Sequence, residues 1–409
     1  MQRRIITGLD VGTSSVQVVV ADQKSEGGLE ILGFGRAASE GMRRGSVVDA
    51  QDVASSIRRA VEDAERSTGV PIEHAYVGFS GMGLGITATK GVVAVSRADG
   101  EISDADVERV LANARAALPQ LPNREVIHEV PSRYAVDKES NIKNPVGMIG
   151  NRLEAQVLFV TAFTPHLKSL VKSVELAGLA VDDVVASPLA AARAVLSKHQ
   201  KEIGVMMLDL GSGSASVSIF EEGGLVSTGV FPVGSAHVSH DIAIGFQTPL
   251  EVAERIKLEH GTLAVQSVGK RDIVRLADYG EHEAATISRR DLAEIIEARF
   301  KDIFELVDKH LKKIGRSGLL PSGVVITGGG AGLPGLADFA KHELRLPAIV
   351  GTPVGISGSH ENIQDPSWSV ALGLCLMGYD EAKTGSSKAA SAWQKMLKHL
   401  GDWVRPFIP

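Results

Sequence analysis

The sequence predicts a duplicated α/β fold in which two similar halves enclose a cleft. The first observation is an internal repeat: the segments Ile5–Asp22 and Val205–Glu222 follow one pattern, about half a chain apart. Each has an apolar strand that ends in an aspartate, a turn of small residues and a second alternating strand, which is typical of a β-hairpin. The second observation is that helical and strand patterns alternate through the rest of the chain, as in α/β proteins.

The composition limits the class of protein. The 409 residues have room for two ordinary domains, and 44% hydrophobic with 22% charged residues is the composition of a globular protein. The net charge of −6 argues against a nucleic-acid partner, which usually requires a basic surface. The one cysteine, Cys375, excludes an internal disulfide, and we expect it to be buried. The amino-terminal residues are typical of a first strand, and no apolar run reaches the length of a membrane span.

Several elements between and after the repeats can be placed from their patterns. Helical spacing predicts a helix over Asp49–Thr68, and Ser103 with Asp106 has the spacing of a capping box. A long amphipathic helix is predicted over Arg289–Lys313. Val324–Thr327 is a short apolar run typical of a buried strand, and it leads into a glycine-rich loop.

Two aspartates are the candidate catalytic residues. Asp10 and Asp209 end the first strands of the two repeats, so a cleft between the halves would bring them face to face. Carboxylates in this position suit a Mg²⁺ ion that keeps most of its water and bridges to phosphates. Asp209, or a water that it orients, could also polarise a water for attack on a phosphate. The alternative is that each aspartate only caps its own turn.

The three small-residue loops resemble the nucleotide-binding motifs of a known superfamily. DVGTSS, DLGSGS and VITGGGAGLPG are similar to the phosphate-1, phosphate-2 and adenosine motifs of actin, Hsp70 and the sugar kinases. This resemblance implies a duplicated actin-like, ribonuclease-H-like fold. Within the superfamily, GMRRGSVVDAQDV, NPVGMIGNRLEAQVLFVTA, AERIKLEHG and the amphipathic carboxyl-terminal tail are similar to the FtsA family of bacterial cell-division proteins. The resemblance covers essentially the whole chain.

The resemblance implies that the cofactors are ATP and Mg²⁺. The first two loops would hold the phosphates, the glycine triplet would face the adenosine, and a helix would reach the ribose or base, although the alternative for that helix is a solvated face. The implied cofactor-binding residues are Gly12, Thr13, Ser14, Gln17, Gly211, Ser212, Gly213, Gly234, Ser235, Glu254, Lys257, Gly328, Gly329 and Gly330.

Two positions depart from the superfamily pattern. Gln17 stands where many members have a lysine that contacts phosphate, and Ser216 stands where many have an acidic residue. The loss of a cation and of a carboxylate near a metal-bound phosphate should weaken binding or catalysis. We therefore expect at most a weak ATPase, in which the nucleotide acts as a conformational ligand.

The resemblance also predicts a domain organisation. The first half would comprise residues 1–84 and 164–198, with an α+β interaction subdomain inserted at 85–163. The second half would comprise 199–244 and 316–380, with a further insert at 245–315. Residues 381–392 have the small, polar composition of a flexible linker and would lead to a membrane-targeting helix at 393–409.

The tail itself has the pattern of an interfacial helix. Tryptophans and aliphatic residues recur at helical spacing on one face, with basic residues mostly off that face, as in helices that lie on anionic membranes. The apolar face would comprise Trp393, Met396, Leu397, Leu400, Trp403, Val404 and Phe407, and the basic residues are Lys395, Lys398 and Arg405. The alternatives are a helix docked on the protein's own core and a helix bound in a partner's groove.

The function implied by the resemblance is that of an adaptor. Such a protein would polymerise and tether the tubulin-like division-ring protein FtsZ to the cytoplasmic membrane at the division site. It would bind FtsZ through the 245–315 insert and recruit later division proteins. Two alternatives share the fold: a pilus-assembly scaffold similar to PilM, and a small-molecule kinase. Neither alternative provides a role for an amphipathic tail.

Overall fold

The structure, a computed structural model, describes residues 4–24, 27–280, 286–354, 356–358 and 361–384. The predicted membrane-targeting helix at 393–409, and most of the linker before it, lie outside the described residues. Within those ranges no helix combines the length and the apolar character that crossing a bilayer requires.

The chain opens with a three-stranded meander followed by a helix and a parallel strand. These elements are β1 (Ile5–Val11), β2 (Ser15–Gln23), β3 (Leu29–Ala38), the hairpin strands β4 (Met42–Arg43) and β5 (Ser46–Val47), α1 (Ala50–Thr68) and β6 (His74–Phe79). The predicted helix is present with both of its ends defined. The Asp49 carboxylate accepts hydrogen bonds from the first-turn N–H groups, and Gly69 ends the helix in the left-handed conformation.

A small α+β unit is inserted next. Its elements are β7 (Gly85–Ala94), α2 (Asp104–Ala116), β8 (Arg124–Val136), β9 (Glu139–Ile142) and β10 (Arg152–Phe163). The strands pair in the order β7-β10-β8-β9, and α2 packs on β7 and β10 over its own hydrophobic core. The predicted capping box of α2 is formed, because Ser103 and Asp106 each bond the other's backbone N–H.

The chain then completes the first-half sheet. The elements are α3 (Thr164–Leu176), β11 (Ala180–Ala186), α4 (Ser187–Val195) and the short α5 (Lys198–Ile203). The sheet has the order β11-β6-β1-β2-β3, in which β1, β6 and β11 are parallel and β2 is antiparallel to both of its neighbours.

The second half repeats this topology. Its elements are β12 (Val205–Leu210), β13 (Ala215–Glu221), β14 (Gly224–Phe231), α6 (Ser235–Phe246), α7 (Leu250–His260), β15 (Ile273–Arg275), β16 (Thr286–Ser288), α8 (Arg289–Lys313), β17 (Val324–Thr327), α9 (Leu336–Leu344), β18 (Ala348–Val350) and α10 (Ser369–Thr384). The sheet order is β14-β13-β12-β17-β18. Each strand of this five-stranded sheet matches one of the first-half sheet, so the duplication in the sequence is a duplication of the fold.

The last helix of each half packs on the sheet of the other half, which corrects two predicted boundaries. Helix α4 packs against β12 and β13, whereas α10 packs against β1 and β2. The final helix of each half therefore packs with the opposite half, although the prediction placed α4 in 164–198 and most of α10 in 316–380. The predicted linker start is also wrong, since 381–384 continue α10. The Tyr76 hydroxyl donates a hydrogen bond to Glu381 over 3.1 Å and holds this last turn.

The close packing of α4 against α10 depends on the absence of a side chain at Gly373. We predict how much stability the protein loses when a side chain is added there. A Cβ at Gly373 of α10 would lie 1.9 Å from the Ala190 carbonyl oxygen of α4. Gly373→Ala should therefore destabilise the protein by about 1–3 kcal/mol, although alanine is the better helix former. Thermal unfolding measures this. Gly332→Ala, where a Cβ would meet open space, is the control. Equal unfolding temperatures for both variants would contradict the packing argument.

Candidate functional site

The two repeated hairpins place one aspartate each at the cleft. Asp10 lies directly opposite Gln17 across β1 and β2, and Asp209 lies directly opposite Ser216 across β12 and β13. Both turns close in the same way, because the N–H of Gly12 and that of Gly211 each donate over 3.0 Å to the carbonyl three residues later. A Cβ at either glycine would lie 2.8 Å from that carbonyl oxygen. The small residues of the motifs are therefore a steric requirement.

The two carboxylates share a site that favours a cation. Burial and the charge of Asp209 raise the pKa of Asp10 to about 7. Burial raises the pKa of Asp209 to about 6, against a hydrogen bond from Ser216 that lowers it. Two buried carboxylates that oppose each other's ionisation fit a divalent cation placed between them. Within the described ranges no group of three or more His, Cys, Asp or Glu side chains is placed so that it could hold a metal ion.

The two phosphate-loop candidates meet across the cleft. A Cβ at Gly213 would lie between 2.6 and 3.0 Å from three side-chain atoms of Thr13. Thr13 is held in place from its own half, because the Gly45 N–H donates to its hydroxyl over 3.0 Å. The contact between the halves at this point therefore exists only because Gly213 has no side chain.

The third loop packs against the second aspartate. Gly328 has φ 87°, and a Cβ there would lie 2.2 Å from Asp209 Oδ1. Gly330 approaches the Leu210 carbonyl in the same way. Gly234 differs from its prediction: it packs behind the second loop, where a Cβ would lie 2.4 Å from the Gly211 oxygen, and it does not line the cleft.

The helix predicted to reach the ribose or base does line the cleft, but its lysine is already engaged. Lys257 is buried and donates to the Ser235 carbonyl (3.3 Å), the Ser239 hydroxyl (2.9 Å) and Glu254 Oε2 (2.7 Å). Ser239 also donates to the same Glu254 oxygen. Glu254 is about 42% exposed and retains a second carboxylate oxygen at the cleft. Glu254, rather than Lys257, is the group of this pair that can accept a ligand hydroxyl.

Arg36 and Ser187 are among the cleft residues that were not predicted from the sequence. Arg36 lies directly opposite Gln17 on β3, so Asp10, Gln17 and Arg36 form a row across three strands. Ser187, the first residue of α4, is buried at the cleft floor. The sequence signal for Ser187 was the Ser-Pro pair at the start of α4, because proline is common in the first turn of a helix.

These residues enclose a cavity of about 460 Å³, a size typical of small-molecule sites. It contains every predicted cofactor-binding residue except Gly234. The predicted residues that line it are Asp10, Gly12, Thr13, Ser14, Gln17, Asp209, Gly211, Ser212, Gly213, Ser235, Glu254, Lys257, Gly328, Gly329 and Gly330. The sequence-predicted site is thus one continuous cleft.

We predict that Gly213→Ala separates the two halves. The added methyl group must displace Thr13, so the cleft should open. The distance between spin labels at Glu62→Cys and Lys309→Cys, on exposed positions of α1 and α8, should lengthen. Cys375 is fully buried and should not compete for label. Thr13→Gly in the same chain removes the conflict and should restore the distance; an unchanged distance in Gly213→Ala alone would refute the contact.

Solved structures share this fold at low sequence identity. A chain of the PilM–PilN type IV pilus biogenesis complex aligns with a TM-score of 0.65 at 17% identity, over 91% of this chain and 98% of that one. MreB5 of Spiroplasma citri bound to AMPPNP aligns with a TM-score of 0.54 at 13% identity, over 94% and 98%. The fold is the duplicated actin-like fold, as the resemblance implied.

Sequence comparison is more specific. The model of the cell division protein FtsA matches residues 206–373, and that of the SHS2 domain inserted in FtsA matches 81–161. FtsA of Pseudomonas aeruginosa is 34% identical over 98% of both chains. FtsA of Borreliella burgdorferi is 36% identical over 99% of this chain and 98% of that one. FtsA of Escherichia coli K12 is 32% identical over 98% of both. Since the identity exceeds 30% along nearly the whole length, this chain belongs to the FtsA family of cell division proteins.

Proposed function

We propose that this protein binds ATP with Mg²⁺ in the cleft and serves as a membrane adaptor of the division ring. The observation that carries the nucleotide part is the pair of opposed aspartates, each beside a tight small-residue turn, with a third glycine loop behind Asp209. Backbone N–H groups in such turns suit phosphate oxygens, and the paired carboxylates suit the metal that accompanies them. MreB5 with AMPPNP, a neighbour in fold, supports a nucleotide as the ligand.

Different residues of the cleft would bind different parts of the nucleotide. The turns at Gly12–Ser14 and Gly211–Gly213 would hold the phosphates from opposite halves, and Gly328–Gly330 would face the adenosine. The free oxygen of Glu254 would accept a ribose hydroxyl. The metal, when bound, would neutralise phosphate charge, and Asp10 and Asp209 would hold it through water.

Hydrolysis should be slow. The amide of Gln17 and the hydroxyl of Ser216 supply neither a cation nor a negative charge beside the phosphates. Asp209 is the candidate to orient an attacking water. Phosphoryl transfer depends on charge stabilisation, so turnover should fall well below the roughly 1–100 s⁻¹ of kinases. On this proposal, the bound nucleotide sets the conformation and the assembly of the chain.

The adaptor role rests on the family and on the tail. A family of division proteins favours a role at the division site, with FtsZ and later division proteins as partners and with head-to-tail filaments as the assembled form. The 393–409 helix would bind the cytoplasmic face of the membrane, and the 245–315 insert would bind FtsZ. The protein would thus be peripheral.

Two other functions remain alternatives on the same fold. The PilM–PilN complex favours a scaffold role only through fold, at 17% identity, whereas division-protein relatives match at twice that identity. A small-molecule kinase would require an acceptor site in the cleft. Incubation with Mg-ATP and a panel of sugars separates this case, because a kinase would consume ATP only when its acceptor is present.

We predict that Mg-ATP raises the unfolding temperature and that the opposed aspartates are required. A ligand present at 100 times its dissociation constant stabilises the folded state by about 2.7 kcal/mol. Asp10→Asn and Asp209→Asn should each remove most of the Mg²⁺-dependent part of this gain. Asp104→Asn, an exposed carboxylate of the insert, should keep all of it. Identical Mg²⁺ dependence in the wild type and both cleft variants would argue against the metal assignment.

We predict that the tail carries membrane binding. The full chain should sediment with anionic liposomes, and a chain that ends at Ala392 should stay in the supernatant. Leu397→Glu, on the apolar face, should abolish sedimentation, whereas Ser391→Glu before the helix should not. If the full and truncated chains both remain in the supernatant, the tail is a docking helix, and the result favours the scaffold alternative.

A further inference from the structure

One strand of the inserted unit contacts both halves of the molecule. Strand β8 packs against β11 of the first half and against β14 of the second. Its Arg133 forms an ion pair over 3.1 Å with Glu222, in the turn between β13 and β14. Beside this turn, Lys143 of the insert pairs over 2.6 Å with Glu202 of α5, a helix that packs on β13. The insert is therefore attached to the second half as well as to the first half, from which it arises.

In the middle of β8, His128 bonds the backbone of the first half. The N–H of Ala186 donates to His128 Nε2 over 2.9 Å. Burial lowers the pKa of His128 to about 4, so the ring is neutral at physiological pH and carries its proton on Nδ1. Ala186 is fully buried and is the last residue of β11. A side chain of the insert thus satisfies a buried N–H of the first-half sheet.

The duplication provides a comparison for this bond. Ala186 directly precedes α4, and in the second half Trp368 directly precedes the matching helix α10. The Trp368 N–H donates over 3.1 Å to the Asp365 carbonyl, inside its own loop. The backbone of Ala186 is extended, and α4 begins without a side-chain cap. The first half therefore depends on the insert for a bond that the second half makes locally.

The bond lies one residue away from the cleft floor. Ser187 follows Ala186 and lines the cleft. Gly78 of β6 separates Ser187 from the first aspartate, since a Cβ at Gly78 would lie 2.8 Å from Ser187 Oγ and 3.5 Å from Asp10 Oδ1. Close packing of this kind transmits a displacement, because an interior of native density has little free space. A shift of the start of α4 would therefore displace the floor beside Asp10.

We propose that His128 is a positioning residue for the nucleotide cleft, and that through it the insert and nucleotide binding are coupled. This inference rests on the proposed nucleotide binding and deepens it. His128 does not line the cleft itself and acts through the start of α4. Because β8 is also bonded to the second half at Arg133, a change in the opening of the cleft would shift β8 against one of the halves. Coupling is reciprocal, so a ligand that displaces β8 would change the affinity for nucleotide.

Isothermal titration of the full chain with Mg-AMPPNP, at a temperature where every variant is folded, tests the coupling. His128→Phe keeps an aromatic ring and removes the acceptor. It should weaken AMPPNP binding about 10-fold, since an unpaired buried N–H costs a free energy of that order. His128→Gln offers an amide oxygen near the position of Nε2 and should restore the affinity to within about twofold of the wild type. Hydrogen exchange of the Ala186 amide should be fast in His128→Phe and slow in His128→Gln.

The control is Arg124→Met, at the base of the insert. Arg124 donates to the Gly83 carbonyl over 2.6 Å and to the Thr161 hydroxyl over 3.0 Å, and it does not line the cleft. Its loss should lower the unfolding temperature and leave the AMPPNP affinity unchanged. Wild-type affinity in His128→Phe, or an equal loss of affinity in His128→Phe and Arg124→Met, would overturn the coupling and assign His128 a structural role. A wild-type chain that binds no AMPPNP would refute the proposed function itself.

Discussion

The fold depends on one hydrophobic core that both halves share. It contains strand residues of the first sheet, strand residues of the second sheet, and the two exchanged helices α4 and α10 between them. The helices can approach because α4 is rich in alanine and because Gly373 faces the Ala190 carbonyl. Since each helix is covalently part of one half and packed on the other, neither half can complete its core alone. The cleft lies above this crossing, where both helices begin.

The duplication is exact in topology and unequal in chemistry. The row across the first sheet is Asp10, Gln17 and Arg36, whereas the corresponding row across the second is Asp209, Ser216 and Val230. The first half thus places an amide and then a cation in line with its carboxylate across the sheet. The second half has a serine directly opposite Asp209 and continues into an apolar residue. A ligand between such halves therefore meets different side-chain chemistry on its two sides.

The features that could be predicted from the sequence are those that short-range patterns determine. Strand alternation and small-residue turns identified both hairpins, helical spacing identified α1 and α8, and the capping box located the start of α2, because these signals lie within a few residues of the feature. The exchange of α4 and α10 was missed, since an apolar helix face does not specify which sheet it will cover. Lys257 was assigned to the ligand because its burial against Ser239 and Glu254 depends on tertiary contacts. Ser187 was missed because a serine before a proline is an ordinary start of a helix.

Helix α10 runs from the cleft floor to the opposite side of the first half. Its first residue, Ser369, lies at the cleft floor, and its 16 residues extend about 24 Å along the first-half sheet. Near its end, a Cβ at Gly378 would contact Ile6 and Tyr76, on the part of the sheet away from Asp10. The described part of α10 therefore ends on the side of the first half opposite the cleft. The cleft floor and the last described turn are thus joined by one helix, and its position depends on its packing against α4.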